Sequence, residues 1–534
     1  MSYSLISPTD VRNIIAADDE YAFLDMREQG VHSDGHPFFA VPLPLSRLEL
    51  DVARLVPRKS VPILLLDQGS EIPLATRAAD ILAGFGYTDI RLVEGGVEAW
   101  REAGFELFTG VNVPSKAFGE FVEEKCDTPH ILATALNDKV KNGEKIVILD
   151  SRPFPEYHRM SIPGGVDMPG AELVHRVFEM VPDSDTEIVV NCAGRTRSII
   201  GAQSLINAGV PNPVSALKDG TMGWYLADLE LAHREDTVAP LPDAAALEKS
   251  SEAAHRVASR FGVTFVEAEC VQKWQGEEDR SQFLLDVRTE EEYLAGHMPG
   301  SFHAPGGQLV QATDEYIGVR NGRVVLIDDN SVRAVMTASW LVQMNWKDVY
   351  VLKNGLTGPL QSGLPETANI PKYSTVSAQE LDAVLASREA VAVIDLGTSL
   401  EYRAGHVPGA YWGIRSRLET DHIYIPPSGL IILTSKDGRL AHLAASEMAS
   451  LRPEAIIRVL QGGTEAWAQA SLPLESGDTR LLSRNDDVWY KPYDTNDKGE
   501  VRQRMLDYLS WEVGLLQQIE RDGQVKFLSF DGEP

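Results

Sequence analysis

Three cysteines occur in this chain, Cys126, Cys192 and Cys270, and only Cys192 stands in a setting that makes a sulfur reactive. Thr186 to Gly209 reads TEIVVNCAGRTRSIIGAQSLINAG. The pattern predicts a buried strand ending at Asn191, a short loop, and a helix from about Ser198 to Ala208 closed by Gly209. The loop is Cys192-Ala193-Gly194-Arg195-Thr196-Arg197. Where a parallel strand feeds a helix, loop amides and the helix's amino end converge on one small space suited to an anion. A sulfur at the start of such a loop sits in that space, where the amides, the helix dipole and two guanidiniums favour thiolate over thiol. Cys192 is therefore the candidate nucleophile. Ala193 to Arg197 form its expected cradle, and Gly194 is expected to permit a backbone turn that a Cβ would hinder. A plainer reading makes Cys192 a small core residue, but the two arginines argue against it. Cys126 (EEKCDTPH) and Cys270 (VEAECVQK) have acidic neighbours, which are expected to raise their thiols and leave them inert. An odd, sparse set of cysteines supports neither a disulfide framework nor a zinc cluster. No metal and no cofactor is expected.

The elements around the loop recur. An apolar run ending in aspartate appears as AFLDMR (Asp25, Arg27), VILDSR (Asp150, Arg152), FLLDVR (Asp286, Arg288) and AVIDLG (Asp395, with Gly397 in the arginine's place). The third and fourth are followed by EYLAGHMPGS and EYRAGHVPGA; the first keeps only Gly35-His36-Pro37, and the second reads EYHRMSIPGG, with Met160-Ser161 for Gly-His. A second apolar strand follows in each copy, as PILLL, EIVVN, RVVLI and LIILT, then a polar loop and a helix. Each copy ends on a strand and glycine turn: LVEGGVEAW, ALKDGTMGW, VLKNGLTGP and VLQGGTEAW. Strands alternating with helices predict α/β domains, each a mostly parallel sheet flanked by helices. Uninterrupted apolar strands suit positions buried on both faces. The aspartates lie 109 to 136 residues apart, which is domain size, so the copies are expected as separate beads.

Taken together, these elements resemble the rhodanese family over roughly residues 5 to 475. The aspartate strand, the Glu-Tyr-x-x-Gly-His-x-Pro-Gly segment, the cysteine loop and the closing Gly-Gly-x-x-x-Trp turn recur in family order. The resemblance implies a multidomain sulfurtransferase of thiosulfate, in which Cys192 becomes a persulfide and passes its sulfur to cyanide or a thiol. Rhodanese-like phosphatases and arsenate reductases carry arginine six positions after the cysteine; here the sixth residue is Ser198 and arginine comes at five, in the tighter loop of sulfurtransferases. The expected site is Cys192 with Ala193, Gly194, Arg195, Thr196, Arg197 and Arg152, the last either lining the pocket or pairing with Glu156. Met160-Ser161 implies an altered pocket wall. Asp328 and Ser435 stand at the cysteine position of the third and fourth copies, and the first has a loop near Asp67 to Gly69. None of these can form a persulfide, although Arg333 and Arg439 are expected to retain weak anion binding. His297 and His406 are expected to hydrogen-bond within their turns, and Trp224 to pack the domain edge.

The expected domains are 1–110, 111–236 (catalytic), 255–367 and 372–477, followed by an extension over 478–534. Linkers are expected at Gly110 to Ser115, Thr237 to Ala254 and Pro365 to Ser374. A helix is predicted over Glu500 to Asp522, with Met505, Leu509, Leu516 and Ile519 on one face that docks against a domain or a second subunit, the latter making a homodimer. A chain of 534 residues with 43% hydrophobic and 24% charged residues has core material for several domains. A net charge of -29 disfavours nucleic acid and anionic membranes. No membrane span or basic leader is legible, so a cytoplasmic location is expected. A second class of function stays open, a non-catalytic scaffold, sulfur carrier or sensor that binds a partner.

Overall fold

The computed structural model describes residues 3–69, 73–356, 358–364, 370–387, 390–495 and 497–530. Each repeat folds into a five-stranded, all-parallel sheet whose strands, numbered along the copy, lie in the order first, fifth, fourth, second, third. In the second domain these are His130–Ile131, Val214–Leu217, Glu187–Asn191, Ile146–Asp150 and Val166–Asp167. The two central strands are buried on both faces, as their unbroken apolar runs demand. Val190 packs with Ile199 and Leu205 on one side, and Val189 with Leu136 and Trp224 on the other. Burying each such side chain contributes about 1.5–3 kcal/mol. Register sets Asp150 beside Asn191, the residue before Cys192.

The copies are not beads. One hydrophobic core runs continuously through the first three domains. The second and third meet at Gly170 and Gly307, where a Cβ on either would lie 3.2 Å or less from the other's backbone. The first and fourth meet through Arg415, which donates to Glu49, and Ser416, which donates to Glu28.

Two expected linkers are helices instead. Val113–Cys126 begins inside the stretch from Gly110, and Ala244–Phe261 fills most of Thr237 to Ala254. Proline and alanine suggested a flexible joint, but Asp243 caps the second helix through Ala246 N–H at 2.8 Å. Its buried face, including Ala253, Val257 and Phe261, packs on the helices Glu172–Met180 and Val332–Gln343. Of the third linker, residues 365–369 lie outside the described residues.

The C-terminal helix spans Lys498–Asp522. It docks within the chain, along Val113–Cys126, with Leu515 and Ile519 against Phe38, Phe108 and Val113. Its fully buried seam is Met505, Glu512, Leu515 and Ile519, whereas Leu509 and Leu516 are only partly buried. No helix among the described residues is long and apolar enough to cross a membrane.

Candidate active site

Cys192 leaves the strand Glu187–Asn191 and is 2% exposed. Its carbonyl and that of Ala193 are drawn backward by the next glycine turn: Thr221 N–H donates to Cys192 at 2.8 Å and Met222 N–H to Ala193 at 3.0 Å. Gly220 is required there, with φ +54° and the Cys192 carbonyl oxygen 2.3 Å from where a Cβ would stand. With its carbonyls turned away, the loop leads into the helix Thr196–Asn207, two residues earlier than expected. The first backbone bond closing on that helix runs from Ile199 N–H to Arg195 at 3.1 Å. Amides ahead of it are the free donors of a helix start. The Cys192 thiol donates to Ser198 Oγ at 3.4 Å, and Ser198 donates in turn to the Arg195 carbonyl at 2.8 Å. In the sequence Ser198 marks only the loop length; in the fold its hydroxyl is a hydrogen-bond partner of the sulfur.

The arginines divide the work unequally. Arg197 donates to Glu156 at 2.8 Å and, across the domain boundary, to Gln308 at 3.3 Å. Burial opposes its charge, but Glu156 and Cys192 together raise its pKa. Burial alone would raise the Glu156 carboxyl too; Arg197 and Lys491 hold it at about 2. Arg195 turns away from the sulfur. Its Nε and Nη2 grip Glu120 at 2.7 and 2.8 Å, with Glu123 and Asp219 adding further contacts. It thus ties the loop to the helix Val113–Cys126.

Arg152 does not pair with Glu156. It is fully buried and clamps Asp150 in two bonds of 2.8 and 2.7 Å, with a third to the Met160 carbonyl. Its Nη1 is buried without a protein partner among the described residues. In the first domain the matching Arg27 Nη1 donates to Gln68, which follows Asp67 as Ala193 follows Cys192. By that equivalence Arg152 Nη1 is directed at the cysteine loop, where alanine offers no acceptor.

Gly194 is explained differently from expectation. It is absent from the left-handed residues, and any residue could make its turn. A Cβ there would meet Tyr508 Cε1 at 3.1 Å and Glu512 Oε2 at 3.2 Å, both from the C-terminal helix. Thr196 donates its hydroxyl to Glu512 at 3.2 Å. The hydrophobic pattern gives no warning of these two neighbours, because one is a tyrosine and the other a buried glutamate.

Elsewhere, His297 and His406 bond their own turns at Tyr293 and Tyr402, as expected, and stack on those rings. Trp224 packs in the core and donates to Glu230. The Cys126 thiol is raised by partial desolvation, opposed by Arg260, and not by acidic neighbours. Arg333, expected to retain weak anion binding, is fully buried and bonded to Asp328, Asp329, Glu172 and Glu292.

The rhodanese-like domain model matches residues 7–103, 132–227 and 267–360. The crystal structure of a thiosulfate sulfurtransferase from Pseudomonas aeruginosa is 43% identical, with TM-score 0.93, over 99% of this chain and 100% of that one. A putative thiosulfate sulfurtransferase of Synechococcus elongatus is 25% identical over 37% of this chain and 81% of its own length. The thiosulfate sulfurtransferase GlpE of Actinobacillus pleuropneumoniae serotype 3 is 32% identical over 20% of this chain and 96% of its own. The fourth domain has the same sheet order as the three that match. With more than half of its length matched by one domain model and a full-length likeness beside it, the chain belongs to the rhodanese family.

Proposed function

We propose that the protein is a sulfurtransferase that moves sulfane sulfur from thiosulfate to cyanide or a thiol through a persulfide on Cys192. The observation that carries this reading is the loop itself, a cysteine at the carboxyl end of a central strand with its carbonyls pinned back and a helix start facing it. Relatives named as thiosulfate sulfurtransferases support the donor. In the first half-reaction the Cys192 thiolate attacks the outer sulfur of thiosulfate. The sulfur–sulfur bond breaks, and sulfite leaves with the electron pair. In the second, the acceptor attacks the outer persulfide sulfur and Cys192 returns as thiolate, completing a ping-pong cycle. The amides of Ala193 to Arg197 bind the anion. Arg197, beside the sulfur, and the free Nη1 of Arg152 supply positive charge, and Arg195 anchors the loop. Incubation with thiosulfate alone should add the mass of one sulfur atom to the peptide containing Cys192. Finding that mass on Cys126 or Cys270 would overturn the assignment.

Three copies with Asp67, Asp328 and Ser435 at the cysteine position favour a second reading, a scaffold or sulfur carrier. Steady-state turnover with thiosulfate and cyanide separates the two.

A further inference from the structure

The sheet domains supply an internal control for the tail. In the fourth domain the residues matching Ala193 and Gly194 are Lys436 and Asp437, and both are exposed. In the third, Asp329 at the Ala193 position is exposed as well. Only in the second domain is the whole start of the loop, Cys192 to Thr196, buried. Arg195 and Thr196 are covered by the helix Val113–Cys126, through Glu120 and Gly119, and over Ala193 and Gly194 the cover comes from the C-terminal helix. Met505, Tyr508 and Leu509 pack with Ala193 and Met222, and Tyr508 lies 3.1 Å from the Cβ position of Gly194. Glu512, with 0% exposure, holds the helix in place. It accepts from Thr196 and from the Tyr508 hydroxyl at 2.9 Å, and pairs with Lys116 at 3.3 Å. All three contacts fall on Oε1, while Oε2 is buried without a partner among the described residues, 3.2 Å from the Cβ position of Gly194.

We infer that Tyr508 is a specificity-determining residue, a wall over the Cys192 loop that admits small acceptors such as cyanide and excludes thiols carried on proteins. This deepens the sulfur-transfer reading and rests on it. A protein thiol has to bring its own surface to the sulfur. Here that approach is filled by the Tyr508 ring, packed with Ala193, Met222 and Leu509. Burial, Glu512 and Cys192 push the Tyr508 hydroxyl well above its ordinary value against Arg197, so it stays a neutral donor and keeps its bond to Glu512.

The experiment uses the full chain loaded with sulfur from thiosulfate, followed by single-turnover discharge. Cyanide and reduced thioredoxin are the two acceptors. Wild type should discharge to cyanide and not measurably to thioredoxin. Tyr508→Ala should raise the thioredoxin-to-cyanide rate ratio by at least about tenfold, and Tyr508→Phe, which keeps the ring, should restore the wild-type ratio. Leu509→Ala, a smaller cut in the same cover, should give an intermediate ratio and replaces Tyr508→Ala if that variant does not fold. Wild-type discharge to thioredoxin as fast as to cyanide would overturn the proposal, as would an unchanged ratio in the folded truncation variants. Failure to load any sulfur would instead strike the sulfur-transfer reading, so the two failures are distinct.

Discussion

The Cys192 and Asp328 loops face each other's domains in near-symmetric fashion, and the contrast between them separates a thiol-bearing pocket from a closed ion-pair network. Each has four residues between strand and helix, and each is followed by an arginine five positions after its first residue. Arg197 reaches Glu156 of its own domain and Gln308 of the neighbour; Arg333 reaches the matching Glu292 and Glu172. The symmetry fails at two points. Glu172 is a carboxylate where Gln308 is an amide. Asp328 and Asp329 then add two more anions to Arg333, at 3.0 and 2.8 Å. Burial opposes its charge, but Asp328, Glu172 and Glu292 raise its pKa, so the guanidinium stays charged and is matched by carboxylates already in the loop. The helix entry differs too: Ser331 is left-handed at φ 67°, whereas Arg195 has φ -119°. The silent loop is thus a finished ion-pair network, not a pocket lacking one thiol.

The most severe break of the comparison is Cys192→Ser, which should lower thiosulfate:cyanide turnover by about a thousandfold or more while the fold, followed by circular dichroism, is kept. Arg197→Ala should cost roughly 1.5–3 kcal/mol, about ten- to hundredfold in kcat/KM for thiosulfate, and less for an uncharged donor. Equal losses with both donors would mean that Arg197 only shapes the loop. Arg195→Ala should act on stability, by about 3–5 kcal/mol in urea unfolding, because it strands Glu120 in a buried site. The reverse experiment is Asp328→Cys with Asp329→Ala in a Cys192→Ala background. Thiosulfate is expected to add no sulfur, because Glu172 and Glu292 still hold Arg333. Persulfide at position 328 would show that the pocket had lacked only a thiol and relief from the Asp329 carboxylate. The smallest effect concerns Asp167, whose counterpart is His303. Burial and then Asp150 raise its carboxyl to about 7, above its unfolded value near 4. The folded state therefore holds the extra proton between these values, and stability falls as pH rises through that window. Asp167→Asn should flatten the decline between about pH 4 and 7, followed as stability against pH.

Much of this was legible along the chain. Four aspartate strands, four glycine turns and one cysteine loop could be read because each signal is local, a few residues whose spacing matches one turn or one strand. The stretches Gly110 to Ser115 and Thr237 to Ala254 read as linkers although the helices Val113–Cys126 and Ala244–Phe261 start within them, since the apolar faces of those helices are completed only by partners far along the chain. Arg195 and Arg197 are alike in sequence and opposite in use, because Glu120 stands beside one and Glu156 beside the other.

The sequence by itself determined which copy has a thiol at the start of its strand–helix loop and how long that loop is, because these depend on residue identity within one strand–loop–helix unit. Tertiary structure alone decided what surrounds that thiol. The tail helix arrives from more than 300 positions away to fill the space that Gly194 leaves open, and Gln308 reaches Arg197 from the next domain. Such neighbours share no periodicity with the loop they touch; they are selected by packing and charge pairing once the chain has folded.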